Sequence, residues 1–295
     1  MKVTWALEPL LPLCQRLLPS RLAGLSVTLL KATALELAIL AGHLVLYPSG
    51  IVQERRTPPA LPPGDGDAAE PAQLPAQGAP PVVLLHGFID NRSVFVLLRR
   101  SLAQHGRHQV ESLNYSPLTC DIRTAAELLG RHIEGICART GSRRVDIVGH
   151  SLGGLIARYY VQRLGGDARV RTLVTLGTPH SGTRVARLAT AHPIARQMRP
   201  GSAVIEELKE PAPGCRTRFV GFWSDLDHIM DPLESACVDH PDLRAVNVRV
   251  TGIGHLALPV HPAVAMGVRQ ALDAEGPAAD PAASAEARAG GLTVA

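Results

Sequence analysis

The stretch VDIVGHSLGGLIARYY, Val145 to Tyr160, places a serine inside Gly149-His150-Ser151-Leu152-Gly153, a G-x-S-x-G pattern. An apolar run precedes it and a helix-like run follows. In that setting the serine sits on a tight, strained turn that lifts its hydroxyl into the open. Glycines on either side remove side chains that would collide across the turn. The competing reading is a plain strand-to-helix turn with no chemistry. The strand before, the helix after and Gly154, which allows close helix packing, weigh against it.

A serine hydroxyl is a weak nucleophile near neutral pH, so it needs a base, and the base needs an acid to orient it. For this type of turn the partners follow in the order Ser, Asp or Glu, His, each just past the end of a later strand. Six of the 12 histidines follow Ser151. His255, in VTGIGHLALP, sits where a strand runs out into Gly-rich turn chemistry. His180 comes too early to leave an acid between it and the serine, and His192, His228, His240 and His261 lack a preceding strand exit. For the acid, FVGFWSDLDHIMDP offers Asp225, Asp227 and Asp231. Placement favours Asp227, since Asp225 lies very near the strand end and Asp231 precedes a proline that starts new structure.

Acyl transfer through such a serine also needs two converging donors for the oxyanion. The backbone N–H of Leu152, next after the serine, is one. The second is expected from the loop after the first strand, LLHGFIDN, through the backbone of Phe88, with Gly87 permitting the bend. His86 reads as structural support rather than a proton carrier.

Positioning these groups requires a run of alternating elements. PVVLLHGF, QVESLNY, RRVDIVGH, RVRTLVTLGTPH, CRTRFVGFWSD and LRAVNVRVTGIGH read as strands. DIRTAAELLGRHIEGICART, with Asp121 suited to an N-cap, LGGLIARYYVQRL and PAVAMGVRQALDA read as helices. This alternation predicts an α/β fold with a mostly parallel sheet covered by helices on both faces. In such sheets the chemistry collects at the C-terminal ends of the strands.

The flanks differ in composition. Residues 1–56 are dominated by the apolar Leu22–Val52, in which only Lys31 and Glu36 are charged; it is long enough to be a candidate membrane anchor, spanning or interfacial, the alternative being helices packed on the domain. That reading makes the chain membrane-associated, with a periplasmic catalytic domain as one topology and the face left open. Residues 57–80, rich in Pro, Ala and Gly, read as an extended linker. The catalytic domain spans 81–274, and 275–295 form a low-complexity tail. The formal charge of +4 arises from scattered arginines rather than a basic stripe interleaved with aromatics, which argues against a nucleic-acid partner. The five cysteines show no metal-ligand spacing, so no metal is expected; free thiols are favoured over a Cys215–Cys237 pair.

Together these stretches resemble the α/β-hydrolase superfamily, and more closely the small bacterial triacylglycerol lipases and esterases of lipase class 2. The resemblance is carried in order by VVLLHGF, VDIVGHSLGGLIARYY, LVTLGTPHSGT, SDLDHIMDPLESA and VTGIGHLALP, over roughly Pro81 to Ala274. It implies an α/β-hydrolase fold with a minimal cap or none, an ester or lipid substrate, and no cofactor. The family's S-x-x-D pattern falls on Ser224 to Asp227 and its GH histidine on His255, implying a Ser151–Asp227–His255 triad. Gly177–Thr183, GTPHSGT, looks like the loop that walls the acyl pocket. Only about 34 residues separate its GTPH from the strand near Cys215, room for a short helical flap from Val185 to Leu208 but not a large cap. The N-terminal segment and linker depart from the minimal secreted lipases, and the calcium-binding loop of larger bacterial lipases has no clear counterpart. The same motifs leave lipid acyl transfer, lysophospholipid or GPI-type deacylation, and a tethered non-catalytic binding protein as alternatives.

Overall fold

The computed structural model describes residues 33–43, 45, 47–48, 79–88, 90–115, 121–189, 191–274 and 292–294. A helix over 33–43 (α1) comes first. The domain then runs β1 (Val82–Leu85), α2 (Val96–Gln104), β2 (Val110–Leu113), α3 (Ile122–Thr140), β3 (Val145–His150), α4 (Leu152–Arg163) and β4 (Val170–Leu176). The short helices α5 (Pro193–Gln197) and α6 (Ala203–Glu207) follow, then β5 (Arg218–Ser224), β6 (Arg244–Val250), α7 (Pro262–Asp273) and β7 (Leu292–Val294). The sheet order is β2-β1-β3-β4-β5-β6-β7. Every pairing is parallel.

Successive residues of a strand point to opposite faces, and β1 shows the consequence. Val83 and Leu85 join a core with α3, α4 and the short helices α5 and α6, which fall in the stretch expected to form a flap, while Val82 and Leu84 join a second core with α2 and α7. With helices on both faces, β1 and β3 are buried along their whole length, which explains why they read as largely apolar runs. β3 nevertheless holds two buried polar residues, Asp146 and, at its end, His150. Asp146 is wholly buried, and its carboxylate is met by Arg107 at 3.1 Å and Arg171 at 2.6 Å. Both arginines also donate to the carbonyl of Leu272 at the end of α7, so the pair ties that helix to the sheet.

The expected strands and helices of the domain all form, and Asp121 caps α3 by accepting from the Thr124 amide at 2.7 Å. Helix α2 was not anticipated from the sequence. Its inward face is only Leu98 and Leu102, one turn apart, too thin an apolar stripe to stand out. Residues 1–32 and most of the linker lie outside the described residues, as do 275–291 of the tail. The tail departs from a featureless segment at Leu292–Val294, which adds a short strand to the open edge of β6. Helix α1 packs on the domain, with Ile39 against the second core. Among the described residues no helix is long and apolar enough to cross a membrane. Cys137, Cys215 and Cys237 are free thiols; Cys14 and Cys120 fall outside the described residues.

Candidate active site

Ser151 occupies the turn between β3 and α4 with φ 51° and ψ −119°, the one non-glycine residue with positive φ among the described residues. That conformation is costly for a side chain and persists only where the surroundings enforce it. Two kinds of enforcement are visible. The Ser151 amide donates to the Leu176 carbonyl at 2.9 Å, and the Thr178 hydroxyl donates to the Ser151 carbonyl at 2.9 Å. The flanking backbone is also packed so closely that a Cβ at Gly149 would lie 2.5 Å from Gly154 backbone, and one at Gly153 would lie 2.3 Å from the Leu85 carbonyl oxygen. The pattern's glycines are therefore demanded by the approach of β1 and α4 to the turn.

The loop after β5 places its three aspartates differently. Asp225 points outward to Arg249 at 3.0 Å, and Asp231 pairs with Arg184 at 3.1 Å on the surface. Asp227 alone reaches the histidine. Its Oδ2 accepts from His255 Nδ1 at 2.7 Å, and its Oδ1 accepts from the Ile229 and Met230 amides at 2.9 and 3.1 Å. The Ser224 hydroxyl donates to the Ile253 carbonyl and ties this loop to the one bearing His255.

Burial by itself would push the Asp227 carboxyl up, but the adjacent His255 and the two amides outweigh it and hold the group below the ordinary carboxylate range. Burial likewise draws the His255 imidazole down. Asp227 overrides that through its charge and hydrogen bond, with Asp90 and Glu36 adding, and His255 ends above its ordinary value. The pair is thus a carboxylate that holds the imidazole in one orientation and stabilises its protonated form.

The remaining predicted positions fall around the same centre. Leu152 opens α4, where backbone N–H groups have no acceptor within the helix. Gly87 and Phe88 line the same cavity as Ser151 and His255, and the Phe88 ring meets His192 edge-on at 4.8 Å. His86 is a support, its ring stacked on Tyr115 at 4.3 Å while the Tyr115 hydroxyl donates to its carbonyl. Burial lowers its affinity for a proton. His150 is buried and donates through Nε2 to the His255 carbonyl at 3.2 Å, so the residue before the serine steadies the histidine loop. His180, dismissed from its sequence position, is the histidine of the GTPHSGT loop and turns inward, buried against Thr175 at 3.0 Å.

Three residues that the sequence reading left without a role also reach this centre. Asp90 lies 3.4 Å from His150 and 3.5 Å from His43. Glu36 of α1 accepts from the Leu256 and Ala257 amides, immediately after His255. An isolated carboxylate in an apolar stretch was the signal for Glu36, but chain position alone could not say what it meets.

A cavity of about 380 Å³ opens between these groups. Beyond Ser151 and His255 its walls are largely apolar, with Val185, Ala186, Ala189, Ala195 and Met198 from the flap and Ile229 from the loop after β5. Pro179 and Thr183 place the GTPHSGT loop in the wall. No group of His, Cys, Asp or Glu among the described residues could hold a metal ion.

A strand, a strained serine turn, a helix and a later Asp–His pair thus lie together at the C-terminal edge of a parallel sheet. Residues 80–210 match the model of the alpha/beta hydrolase fold. The mature form of a Bacillus licheniformis lipase superimposes with a TM-score of 0.58 at 16% identity, over 69% of this chain and 96% of that one. Lipase B of Aspergillus fumigatus does so with a TM-score of 0.62 at 20% identity, over 83% and 70%. The chain has the α/β-hydrolase fold. Within this chain, 164 residues are 30% identical to a triacylglycerol lipase of Vibrio cholerae, covering 52% of this chain and 48% of the relative. Over 114 residues it is 31% identical to the Pseudarthrobacter phenanthrenivorans triacylglycerol lipase, covering 36% of this chain and 35% of that protein. The chain therefore spans about half or less of the length of these lipases.

Proposed function

We propose that this α/β hydrolase is a serine carboxylester hydrolase acting on lipidic or other apolar esters. The observation that carries the reading is the Asp227–His255 hydrogen bond of 2.7 Å opening onto the cavity that also holds Ser151. His255, oriented by Asp227, takes the Ser151 proton as the hydroxyl oxygen attacks the ester carbonyl. The amides of Leu152 and Phe88 hold the oxyanion. Collapse of the tetrahedral species expels the alcohol, which receives the proton from His255 and leaves an acyl-enzyme. Water, deprotonated by His255, then releases the acid. The apolar walls from the flap favour an acyl chain over a charged substrate, because a charge there would be desolvated without a partner. Similarity to triacylglycerol lipases supports the same substrate class.

The test is Ser151→Ala assayed on p-nitrophenyl esters of several chain lengths, beside fluorophosphonate labelling of the unaltered protein. Loss of hydrolysis in a folded variant, with labelling that depends on Ser151, is the expected outcome. Activity within about tenfold of the unaltered protein would overturn the reading, since a triad serine supplies far more of the rate than that.

A further inference from the structure

We propose that Glu36, on the N-terminal helix α1, is a positioning residue for His255, so that a segment outside the hydrolase core completes the active site. The proposal rests on the reading of His255 as the base.

The loop that carries His255 leaves β6 through Gly252-Ile253-Gly254 and is turn structure up to α7. A histidine on such a loop is only as well placed as its backbone. Asp227 fixes one ring nitrogen and His150 holds the His255 carbonyl, but neither constrains the peptides that follow. Glu36 does. Its Oε2 accepts from the Leu256 amide at 3.0 Å and its Oε1 from the Ala257 amide at 2.9 Å, a two-point grip on consecutive peptides. Charge-assisted hydrogen bonds of this kind are stronger and more directional than neutral ones.

The fit is close on the other side as well. A Cβ at Gly254 would lie 2.4 Å from the Glu36 carboxyl carbon, so any larger residue there would push this side chain out of its grip. The far end of the same segment holds the opposite loop of the site, as Asn91 donates to the Tyr47 carbonyl at 2.8 Å and His43 lies 3.5 Å from Asp90. Along the same segment Thr33, Glu36 and Leu40 line the cavity. The N-terminal segment thus bridges the loop expected to supply an oxyanion donor and the loop that supplies the base.

Four ionisable groups face His255: Asp227 from the loop after β5, Asp90 from the loop after β1, Glu36 from α1, and His150 beside the serine. Glu36 contributes negative charge as well as geometry, so removing it has two separable effects. Loss of the grip lets the imidazole wander from the serine, and displacements of about 1 Å at a reacting group cost on the order of a hundredfold. Loss of the charge lowers the proton affinity of His255 and moves the acid limb of kcat/KM to lower pH.

The experiment compares Glu36→Ala and Glu36→Gln with the unaltered full chain on p-nitrophenyl acetate, a substrate too short to report on the acyl wall, with Ser151→Ala in parallel. Expected are a fall in kcat of about tenfold or more for Glu36→Ala, a smaller fall for the isosteric Glu36→Gln, KM changed less than about threefold, and an acid limb displaced downward in both. If the alanine variant does not fold, the glutamine variant, which keeps shape and one acceptor, decides by its acid limb. Unchanged kcat and an unmoved acid limb in a folded glutamine variant, with Ser151→Ala inactive, overturn this proposal alone. Hydrolysis surviving in Ser151→Ala overturns the hydrolytic site and this proposal with it.

Discussion

Exchanging Asp227 for asparagine isolates the role of the acid, because the structure dictates how the amide must sit. Asp227 Oδ1 accepts two buried backbone amides, from Ile229 and Met230, and Oδ2 faces His255 Nδ1. If the new carbonyl oxygen turned to His255, the NH₂ group would confront those two N–H groups and leave both unsatisfied, at about 1–3 kcal/mol each. The carbonyl oxygen therefore stays on the amides and the NH₂ group faces Nδ1. A donor there requires Nδ1 to be the acceptor, which puts the imidazole proton on Nε2 and removes the lone pair meant for the serine. The geometry survives in the wrong tautomer. The corresponding change in another Ser-His-Asp enzyme costs about 10⁴ in kcat, and a loss of 10³–10⁴ here equals about 4–5.5 kcal/mol of transition-state stabilisation. Steady-state hydrolysis of a p-nitrophenyl ester at pH 8 reads it, with circular dichroism to check the fold. Asp225→Asn is the control. Its partner Arg249 is solvent-exposed, so that change should alter kcat less than about threefold. Asp227→Asn within tenfold of the unaltered protein, or Asp225→Asn carrying most of the loss, would refute the assignment.

Two further outcomes follow from charges whose partners are known. Asp227, Asp90 and Glu36 outweigh the burial of His255 and raise its affinity for a proton. Only the neutral imidazole serves as base, so kcat/KM should fall with decreasing pH through a limb whose midpoint lies above the ordinary histidine value of about 6.5. Below that limb the protonated His255 is paired with Asp227, so its raised pKa stabilises the folded state at low pH and that contribution fades as pH rises through the limb. A pH–rate profile with its midpoint at or below about 6 would contradict this balance. Away from the site, Asp146→Ala removes one of the two carboxylates that meet the buried Arg107; removing one member of a buried pair costs about 3–5 kcal/mol, an upper bound here because Asp273 still meets Arg107 at 2.8 Å. For a domain of this size that is a fall in Tm of roughly 6–20 °C, measurable by calorimetry.

Much of this arrangement was legible because its signals are local. Strands buried on both faces read as apolar runs, α3 declares its start through Asp121, and the serine turn needs glycines wherever β1 and α4 crowd it. The order Ser151, Asp227, His255 follows from strands that each end at the same edge of one parallel sheet. Less legible were features with little local signature. Helix α2 shows too thin a stripe, and although placement and the S-x-x-D pattern favoured Asp227, each of the three nearby aspartates suits a turn, so local propensity does not separate them. Only the fold shows that Asp225 and Asp231 look outward and Asp227 inward.

The sequence by itself determined the α/β class, the strained serine turn and the candidates for its partners, because periodicity and turn chemistry act over a few neighbouring residues. Tertiary structure decided which carboxylate meets the histidine, what the flap encloses, and that Glu36 and His43 of an apolar N-terminal stretch belong beside the active site. Those facts depend on the approach of segments far apart in the chain. Glu36 meets the amides after His255 because a helix at one end of the sequence lies on the edge where β6 ends, and no spacing within either segment encodes that meeting.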